Sequence, residues 1–316
     1  MSEAADRFLA KKFGVFSHYL NGIQNGGDSR RNPSGKRTTW NGLVNELDTD
    51  KLAFSLNKMG AGYFFITLMQ GTAQLCAPNS AFDRICGTKP GEACSTRDLP
   101  ADLYDSLSKY GIDLFLYYTG DGPHLTPVIN ELMGMPEPRI PVTEKFLNNW
   151  SEVLREYSER YGNKVKGWWI DGCYDWLGYN EKTLAYYDRA IKSGNPDALI
   201  AYNYAGAAEG PLIRSPYPEE YVAGERNDFI CIPQGRYIDG AQAHVFAPLG
   251  VLPEGYGGGA WAFPGTKRDR EYMLDYIKKV NAAGATVTVD IVLYRDGGFA
   301  PEQEELLTYV GTHLQK

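Results

Sequence analysis

Short apolar runs alternate with amphipathic segments along this chain of 316 residues, and the alternation restricts the folds available to it. Strand-like runs separated by helices are typical of α/β proteins, in which helices cover a parallel sheet. Eight such runs are visible, at 13–20, 62–69, 112–119, 165–171, 199–204, 228–233, 243–249 and 285–293.

The segments between the runs have the apolar spacing of amphipathic helices. In 143–162, the residues Phe146, Trp150 and Tyr157 recur at helical intervals, and Gly162 ends the pattern. Further helices are predicted at 99–111, 270–284 and 301–313.

Eight strands with interleaved helices predict an α/β fold of the (β/α)8 TIM-like barrel type. The alternative, a doubly wound open sheet, usually has a Gly-rich phosphate loop after an early strand, and the sequence has none. The stretch "GYGGGAW" at 255–261 follows no clear strand and opens no helix, so we interpret it as a flexible loop. Because no repeat or low-complexity linker interrupts the chain, residues 1–316 are expected to form a single domain.

The composition argues against several classes of partner. A net charge of −7 without a dense basic cluster is unfavourable for binding nucleic acid. No run of 18 apolar residues is present, so no transmembrane helix and no membrane partner are predicted. The first residues lack a continuous apolar signal segment, which indicates a cytoplasmic protein or an exported one whose signal has been removed.

The Cys and His residues do not follow metal-binding patterns. The five Cys form no CxxC pair and the four His form no HxH or HxxxH, so we expect no metal and no cofactor. Aromatic residues make up 13% of the chain, including 22 Tyr and 6 Trp. They either fill the core or form a pocket for a ring-shaped, hydroxylated ligand such as a sugar, whose C–H faces stack on aromatic rings.

A barrel of this type has its active site at the C-terminal ends of its strands. In this chain those ends are rich in carboxylates, and no GxSxG motif of a serine hydrolase is present. The pattern favours paired-carboxylate chemistry on a polyhydroxylated substrate, as in glycoside cleavage. Asp171 ends the fourth run and is the candidate for the attacking carboxylate; the alternative is an Asp that caps the turn at Gly172. Asp175 is interpreted as a supporting residue or a helix cap.

Three segments resemble the α-L-fucosidases, the family 29 glycoside hydrolases. "KFGVFSHYL" is similar to their opening strand, and "WSEVLREYSERYGNKVKGWWIDG" to the segment that contains the nucleophile of their retaining mechanism. "VNAAGATVTVDIVLYRDGGFAPEQEELL" is similar to their last strand and helix, so the resemblance extends from Lys12 to about Leu314. It implies a barrel fold, no metal, Asp171 as nucleophile, and His18 and Trp40 as sugar ligands.

The chain also departs from the family pattern. Where fucosidases commonly have T-K-H-H-D-G-F after the second strand, this chain has "TLMQGTAQL", in which Gln70 is left to bond sugar hydroxyls. Tyr19 follows His18 where the family has Trp, and no C-terminal β-sandwich is expected before Lys316. We therefore expect a divergent relative with another sugar or linkage preference.

The general acid/base is harder to assign, because its position varies within that family. Glu225 is the first candidate and Glu254 the second; Asp228 is the third, and a surface-loop role is the alternative for Glu225. Arg226 either forms an ion pair that lowers the pKa of Glu225 or recognises an anionic substituent. The predicted substrate-binding residues are His18, Tyr19, Trp40, Gln70, Tyr118, Asn203, Arg226, His244 and Trp261.

Taken together, these features predict a retaining exo-glycoside hydrolase that acts on a deoxy- or otherwise modified sugar at a glycan end. Its partner would be an oligosaccharide or glycoside substrate. Two other interpretations stay open: a non-catalytic carbohydrate-binding protein on a former glycosidase scaffold, and a barrel enzyme of different chemistry, such as an isomerase or lyase.

Overall fold

A curled parallel sheet surrounded by helices is the main feature of the computed structural model, which describes residues 2–28, 30–207 and 209–314. Seven strands form this sheet in the order β5-β4-β3-β2-β1-β9-β8, and β6 and β7 form a separate antiparallel pair. The strands are β1 (Phe13–Ser17), β2 (Tyr63–Thr67), β3 (Asp113–Thr119), β4 (Val165–Asp171), β5 (Leu199–Tyr202), β6 (Tyr237–Ile238), β7 (Ala241–Gln242), β8 (His244–Pro248) and β9 (Thr286–Asp290).

Helices follow most of the strands, and their ends agree with the sequence signals. The helices predicted at 99–111, 143–162, 270–284 and 301–313 are all confirmed. No helix within the described residues has the length and apolar character needed to cross a bilayer. The helices are α1 (Glu3–Ala10), α2 (Asn21–Gln24), α3 (Trp40–Glu46), α4 (Thr49–Met59), α5 (Ser80–Cys86), α6 (Leu99–Ser108), α7 (Pro127–Met133), α8 (Glu144–Tyr161), α9 (Glu181–Gly194), α10 (Arg270–Ala282) and α11 (Pro301–Leu314).

The strand predicted at 228–233 is wrong. That segment is an irregular loop, and its apolar residues Ile230 and Ile232 are exposed instead of contributing to a sheet. The fold is therefore an α/β fold with an open, curled sheet of seven strands, consistent with a TIM-like barrel, and the closed (β/α)8 barrel expected from the sequence is not formed by regular strands of the described residues.

Residues 219–226 occupy the space between β5 and β8. On one side, Glu225 forms an isolated bridge with Phe246 of β8, and Gly224 (φ +67°) lies so close that a Cβ atom would be 2.0 Å from a β8 carbonyl oxygen. On the other side, two carboxylates reach the edge of β5. Glu220 accepts a hydrogen bond from the backbone N–H of Ile200 at 3.0 Å, and Glu219 accepts one from that of Tyr202 at 2.8 Å. Together with a backbone hydrogen bond from the Glu220 N–H to the Ile200 carbonyl oxygen at 3.1 Å, these two side chains connect the segment to β5.

Side chains alternate between two apolar layers along each strand. On β3, Phe115 and Tyr117 point into the interior of the curled sheet, whereas Leu116 and Tyr118 pack between the sheet and the helices. The interior is unusually aromatic, and its ring-bearing members are Phe8, Phe16, Tyr63, Phe65, Phe115, Tyr117, Trp169, Tyr221 and Phe246.

Helix α1 closes the N-terminal end of this interior. Phe8 is 2% exposed, and its ring lies 4.8 Å from that of Tyr63, 5.3 Å from Phe115 and 5.1 Å from Tyr221. Tyr63 begins β2, so these contacts lie at the end of the sheet opposite the C-terminal strand ends. Burial of the Phe8 ring covers the base of the aromatic interior.

We expect Phe8→Ala to lower the free energy of unfolding by about 3–5 kcal/mol, because it leaves a cavity among well-packed rings. Urea denaturation followed by tryptophan fluorescence measures this loss. Phe54→Ala is the matched control, since Phe54 on α4 is 54% exposed and its truncation removes few contacts. Equal effects of the two substitutions would show that α1 does not stabilise the interior.

Candidate active site

A cavity of about 180 Å³ opens among the C-terminal strand ends. Its volume corresponds to roughly six water molecules in the liquid, which limits a ligand to about one sugar ring. Five of the eleven lining residues are Phe, Tyr or Trp, and polar side chains project between them. The lining residues are Phe16, His18, Ile23, Gln70, Tyr117, Trp169, Asp171, Glu225, Phe246, Trp261 and Ala262.

Asp171 is the last residue of β4, and the turn after it is fixed by glycine. Gly172 has φ +68°, and a Cβ atom there would lie 2.7 Å from a carboxylate oxygen of Asp121, so both the backbone and the space require glycine. The Asp171 carboxylate accepts hydrogen bonds from the Tyr117 hydroxyl and, at 2.7 Å, from the Asn203 side-chain amide. Strand geometry and two donors therefore orient the carboxylate in the cavity wall.

Asn203, directly after β5, connects Asp171 with Glu225. Its side-chain nitrogen donates to Oδ1 of Asp171 and to Oε2 of Glu225. Its side-chain oxygen accepts from the backbone N–H of Gly206 at 3.1 Å, which directs the NH2 group towards the carboxyls. Because one nitrogen bonds both oxygens, those oxygens lie within roughly 6 Å of each other, twice a hydrogen-bond length.

The two carboxyl groups differ in their electrostatic surroundings. Burial raises the pKa of Glu225 to about 8, and the charge of Asp171 adds to that increase. Burial also raises the pKa of Asp171, but hydrogen bonds from Tyr117, Asn203 and the Gly172 backbone favour its ionised form. Glu225 has only the Asn203 bond of this kind. Asp171 is therefore the member of the pair whose surroundings better stabilise the negative charge, and Glu225 is the member that better retains a proton.

Tyr117 is a site residue that the sequence analysis missed. Its hydroxyl donates to Asp171 and accepts from Nε2 of Gln70 at 2.9 Å. Burial and the nearby Asp171 charge raise its pKa well above the ordinary value, so it stays protonated and continues to donate. Tyr118, the tyrosine predicted from the sequence, faces the helices and donates to the Trp150 carbonyl oxygen. Strict alternation of β3 side chains would have distinguished the two tyrosines.

His18 and Trp261 form the wall near β1 and β9. Nδ1 of His18 lies 3.2 Å from Oδ1 of the buried Asp290, so Nε2 is the ring nitrogen available to a ligand. Oδ2 of Asp290 accepts from the backbone N–H of Ala262 at 2.7 Å, and Ala262 has an unusual φ of +54°. Asp290 thus orients both His18 and the loop that places Trp261 against Phe246 at 5.0 Å between ring centroids.

Six predicted site residues meet at this cavity, and five predicted substrate ligands, Arg226 among them, do not. Asp171, Glu225, His18, Gln70 and Trp261 line the cavity, and Asn203 connects the two carboxyls. Four of the predicted ligands are buried elsewhere, on the opposite face of a strand, on a helix or at the barrel base. They are Tyr19, whose hydroxyl donates to the Leu43 carbonyl oxygen, Trp40, which donates to the Leu75 carbonyl oxygen, Tyr118, and His244, which bonds Thr288.

The remaining candidates lie outside the cavity. Glu254 is exposed on the loop after β8, and Asp228 forms an ion pair with Arg268. Asp175 is exposed and accepts from its neighbour's backbone N–H, as expected of a capping residue. Arg226 is buried and donates to the carbonyl oxygens of Glu225 and Gly210; it does not pair with the Glu225 carboxylate. The ion pair between Arg226 and Glu225 that the sequence suggested is therefore not formed.

Comparisons with known proteins find similarity in structure. No protein-family model matches the chain, and no curated protein matches its sequence. An α-L-fucosidase of family GH29 from Bacteroides thetaiotaomicron has a TM-score of 0.66 and 17% identity, with 100% of this chain and 74% of that one covered. Isoenzyme 1 of the α-L-fucosidase from Paenibacillus thiaminolyticus has a TM-score of 0.69 and 16% identity, covering 99% and 75%.

An endo-fucoidan hydrolase of glycoside hydrolase family 107 has a TM-score of 0.72 and 14% identity over 100% of this chain and 65% of that one. Identities this low establish a shared fold. They confirm, at that level, the resemblance indicated by the sequence motifs: the chain is a divergent structural relative of the α-L-fucosidases.

We expect Asp171→Asn to lower the pKa of Glu225 from about 8, because a neighbouring negative charge disappears while the burial of Glu225 persists. A carbon-13 NMR titration of labelled glutamate carboxyls measures the shift, with Glu225→Gln identifying the resonance. Asp175→Asn removes an exposed acid near the same strand end and should leave this pKa unchanged. If the titration of Glu225 were the same with and without the Asp171 charge, the two carboxyls would not interact.

Proposed function

We propose that this protein is a retaining exo-glycoside hydrolase of the α-L-fucosidase-like type. The observation that supports this most strongly is the single Asn203 amide nitrogen that bonds both Asp171 and Glu225 in an aromatic-lined cavity. Retaining glycosidases hold their two carboxyls about 5–5.5 Å apart, whereas inverting enzymes need about 6.5–9.5 Å to admit a water molecule. A shared donor favours the shorter separation.

In the first step, the Asp171 carboxylate attacks the anomeric carbon of the bound sugar. Glu225, protonated below pH about 8, transfers its proton to the glycosidic oxygen as the bond to the leaving group breaks. The products of this step are a glycosyl ester on Asp171, a free alcohol and an ionised Glu225.

In the second step, the ionised Glu225 removes a proton from a water molecule that attacks the anomeric carbon. The ester bond breaks, the Asp171 carboxylate is restored, and the sugar leaves with its original anomeric configuration. Because esterification removes the negative charge of Asp171, the pKa of Glu225 falls between the two steps, which suits its change from acid to base.

The cavity favours one sugar ring with an apolar face. Five aromatic residues, Ile23 and Ala262 surround the space, whereas the side chains of His18 and Gln70 and the Tyr117 hydroxyl are the polar groups outside the carboxyl pair. A deoxy- or otherwise modified sugar at the end of a glycan or glycoside matches this balance. The named activities of the structural relatives, α-L-fucosidase and fucoidan hydrolase, agree with such a substrate. Gln70 in place of a family His supports a different sugar or linkage preference.

Hydrolysis of aryl glycosides by wild type and by Asp171→Gly tests the proposal. The panel contains α-L-fucoside, α-L-rhamnoside, β-D-galactoside, α-L-arabinoside and sulfated fucosides. We expect release by wild type and a loss of at least about 10³-fold in the variant, because the nucleophile is absent. Added azide should restore turnover in Asp171→Gly and yield a glycosyl azide of inverted configuration.

Asp175→Asn serves as the control, because Asp175 is an exposed acid near the same turn and does not line the cavity. An inverted sugar product from wild type would contradict the retaining mechanism. If wild type bound these sugars and released none of them, the protein would be a carbohydrate-binding protein instead.

The pH dependence of kcat/KM gives a second test. Glu225 must be protonated to act as an acid, so the rate should fall as the pH rises through about 8. Towards acid pH the rate should fall again, because Asp171 becomes protonated. With an aryl leaving group that needs no protonation, Glu225→Gln should lose the alkaline limb and keep the acid limb. A wild-type profile that stays flat to pH 10 would exclude Glu225 as the acid.

A further inference from the structure

Two more cavities neighbour the active site on the side of Glu225 and share lining residues with it or with each other. One of about 210 Å³ is lined by Asn203, Glu225 and Arg226, among others, so it shares the general acid with the sugar cavity. The next, of about 820 Å³, shares Arg226 and Leu212 with that second cavity. Since the acid protonates the oxygen of the leaving group, the leaving group lies on this side of the site.

The largest cavity, here named the aliphatic groove, has a lining unlike that of the sugar cavity. The sugar cavity is lined by five aromatic residues, whereas the residues of the aliphatic groove include no aromatic ring. Its lining also includes the polar residues Glu209, Arg226, Asn227, Asp228 and Gln234, but it offers none of the aromatic faces on which sugar rings stack. The apolar residues lining the aliphatic groove are Ala207, Pro211, Leu212, Ile230, Cys231, Ile232, Pro233 and Ile238.

Two isoleucines of the aliphatic groove are unusually exposed. Ile230 is 69% exposed and Ile232 is 44% exposed, both in the loop where the sequence led us to expect a strand. Ile213, which lines the adjoining cavity, is exposed as well. A group of exposed aliphatic side chains around a concave surface is characteristic of a binding site, because covering them removes apolar area from water.

Arg226 fixes the entrance of this groove. The side chain is 8% exposed, and its terminal nitrogens donate to the carbonyl oxygens of Glu225 at 2.7 Å and Gly210 at 3.1 Å. It thereby joins the loop at 210 to the residue that carries the acid. The groove also contains Glu209 and Asp228, so the charges along it do not favour an anionic ligand.

We propose that the aliphatic groove binds the leaving group of the substrate, and that this leaving group is a bulky aliphatic alcohol. The inference rests on the proposed function, because it takes Glu225 as the general acid. A volume of about 820 Å³ is within the range of sites for ligands of drug size and admits an aglycone much larger than one sugar ring. The substrate class is thus a glycoside in which a small modified sugar is attached to an apolar aglycone.

Alkyl glycosides of the sugar identified with the aryl panel test this inference. We expect kcat/KM to rise at least about tenfold from the methyl to the octyl glycoside, because each fully buried methylene contributes about fourfold. Ile230→Ser combined with Ile232→Ser should lower kcat/KM for the octyl glycoside at least about fivefold more than for the methyl glycoside. Val128→Ser, at an equally exposed position on α7, should change neither value.

The outcomes separate this inference from the proposed function. Hydrolysis that is independent of alkyl length, or that favours a trisaccharide over the octyl glycoside, would overturn the inference and leave the glycosidase intact. Selective hydrolysis of a sulfated aglycone would overturn it too, in favour of anion recognition by Arg226. Failure to hydrolyse any glycoside in the series would overturn the proposed function and the inference with it.

Cys231 supplies a measurement that needs no substitution in the groove. It lines the groove and is half-buried, while the other four cysteines are buried. In Asp171→Asn, which leaves substrate intact, the octyl glycoside at ten times its Kd should slow reaction of Cys231 with N-ethylmaleimide about tenfold. The methyl glycoside at the same saturation should give little protection. Equal protection by both would contradict an aglycone seated in the groove.

Discussion

The connection between β5 and residues 219–226 is the constraint on which the site depends. The edge of β5 would leave backbone N–H groups without partners, and the carboxylates of Glu219 and Glu220 accept from two of them. Burial raises the pKa of Glu219 to about 8, so this connection has an energetic cost. It is nevertheless what directs the chain along β8, and six residues later Glu225 reaches the cavity opposite Asp171.

With Glu225 opposite Asp171, the ionisation of the two carboxyls depends on three hydrogen-bond donors and their placement. Asp171 has Tyr117, Asn203 and a backbone N–H around it, whereas Glu225 has Asn203 alone. Two buried carboxyls in one cavity cannot both ionise at little cost, and the uneven distribution of donors decides which one does. The difference in donors arises because Tyr117, Asp171 and Asn203 lie at the C-terminal ends of β3, β4 and β5, and parallel strands place these ends at the same edge of the sheet.

The sequence predicted the parts of this arrangement that depend on regular elements. Asp171 and His18 were found because each ends a clear apolar run, and similarity to α-L-fucosidase motifs supported both. Tyr117 was missed because Tyr117 and Tyr118 are adjacent and identical in type, so residue type cannot distinguish them. Only the alternation of side chains on β3 shows that Tyr117 faces the interior. The strand at 228–233 was predicted wrongly because its isoleucines have the composition of a buried strand but line an open groove. The connection of residues 219–226 to β5 by the side chains of Glu219 and Glu220 produces no periodic pattern in the sequence, so it could not be predicted.

A continuous series of hydrogen bonds runs from Gln70 through Tyr117, Asp171 and Asn203 to Glu225. Gln70 lines the cavity, and in the proposed mechanism Glu225 supplies the proton to the leaving group. Recognition and acidity therefore belong to one polarisable network, in which each bond influences its neighbours. Under the proposed mechanism, a substitution at position 70 that changed the sugar accepted would also change the pH dependence of the rate, so in this protein substrate range and pH adaptation would evolve together.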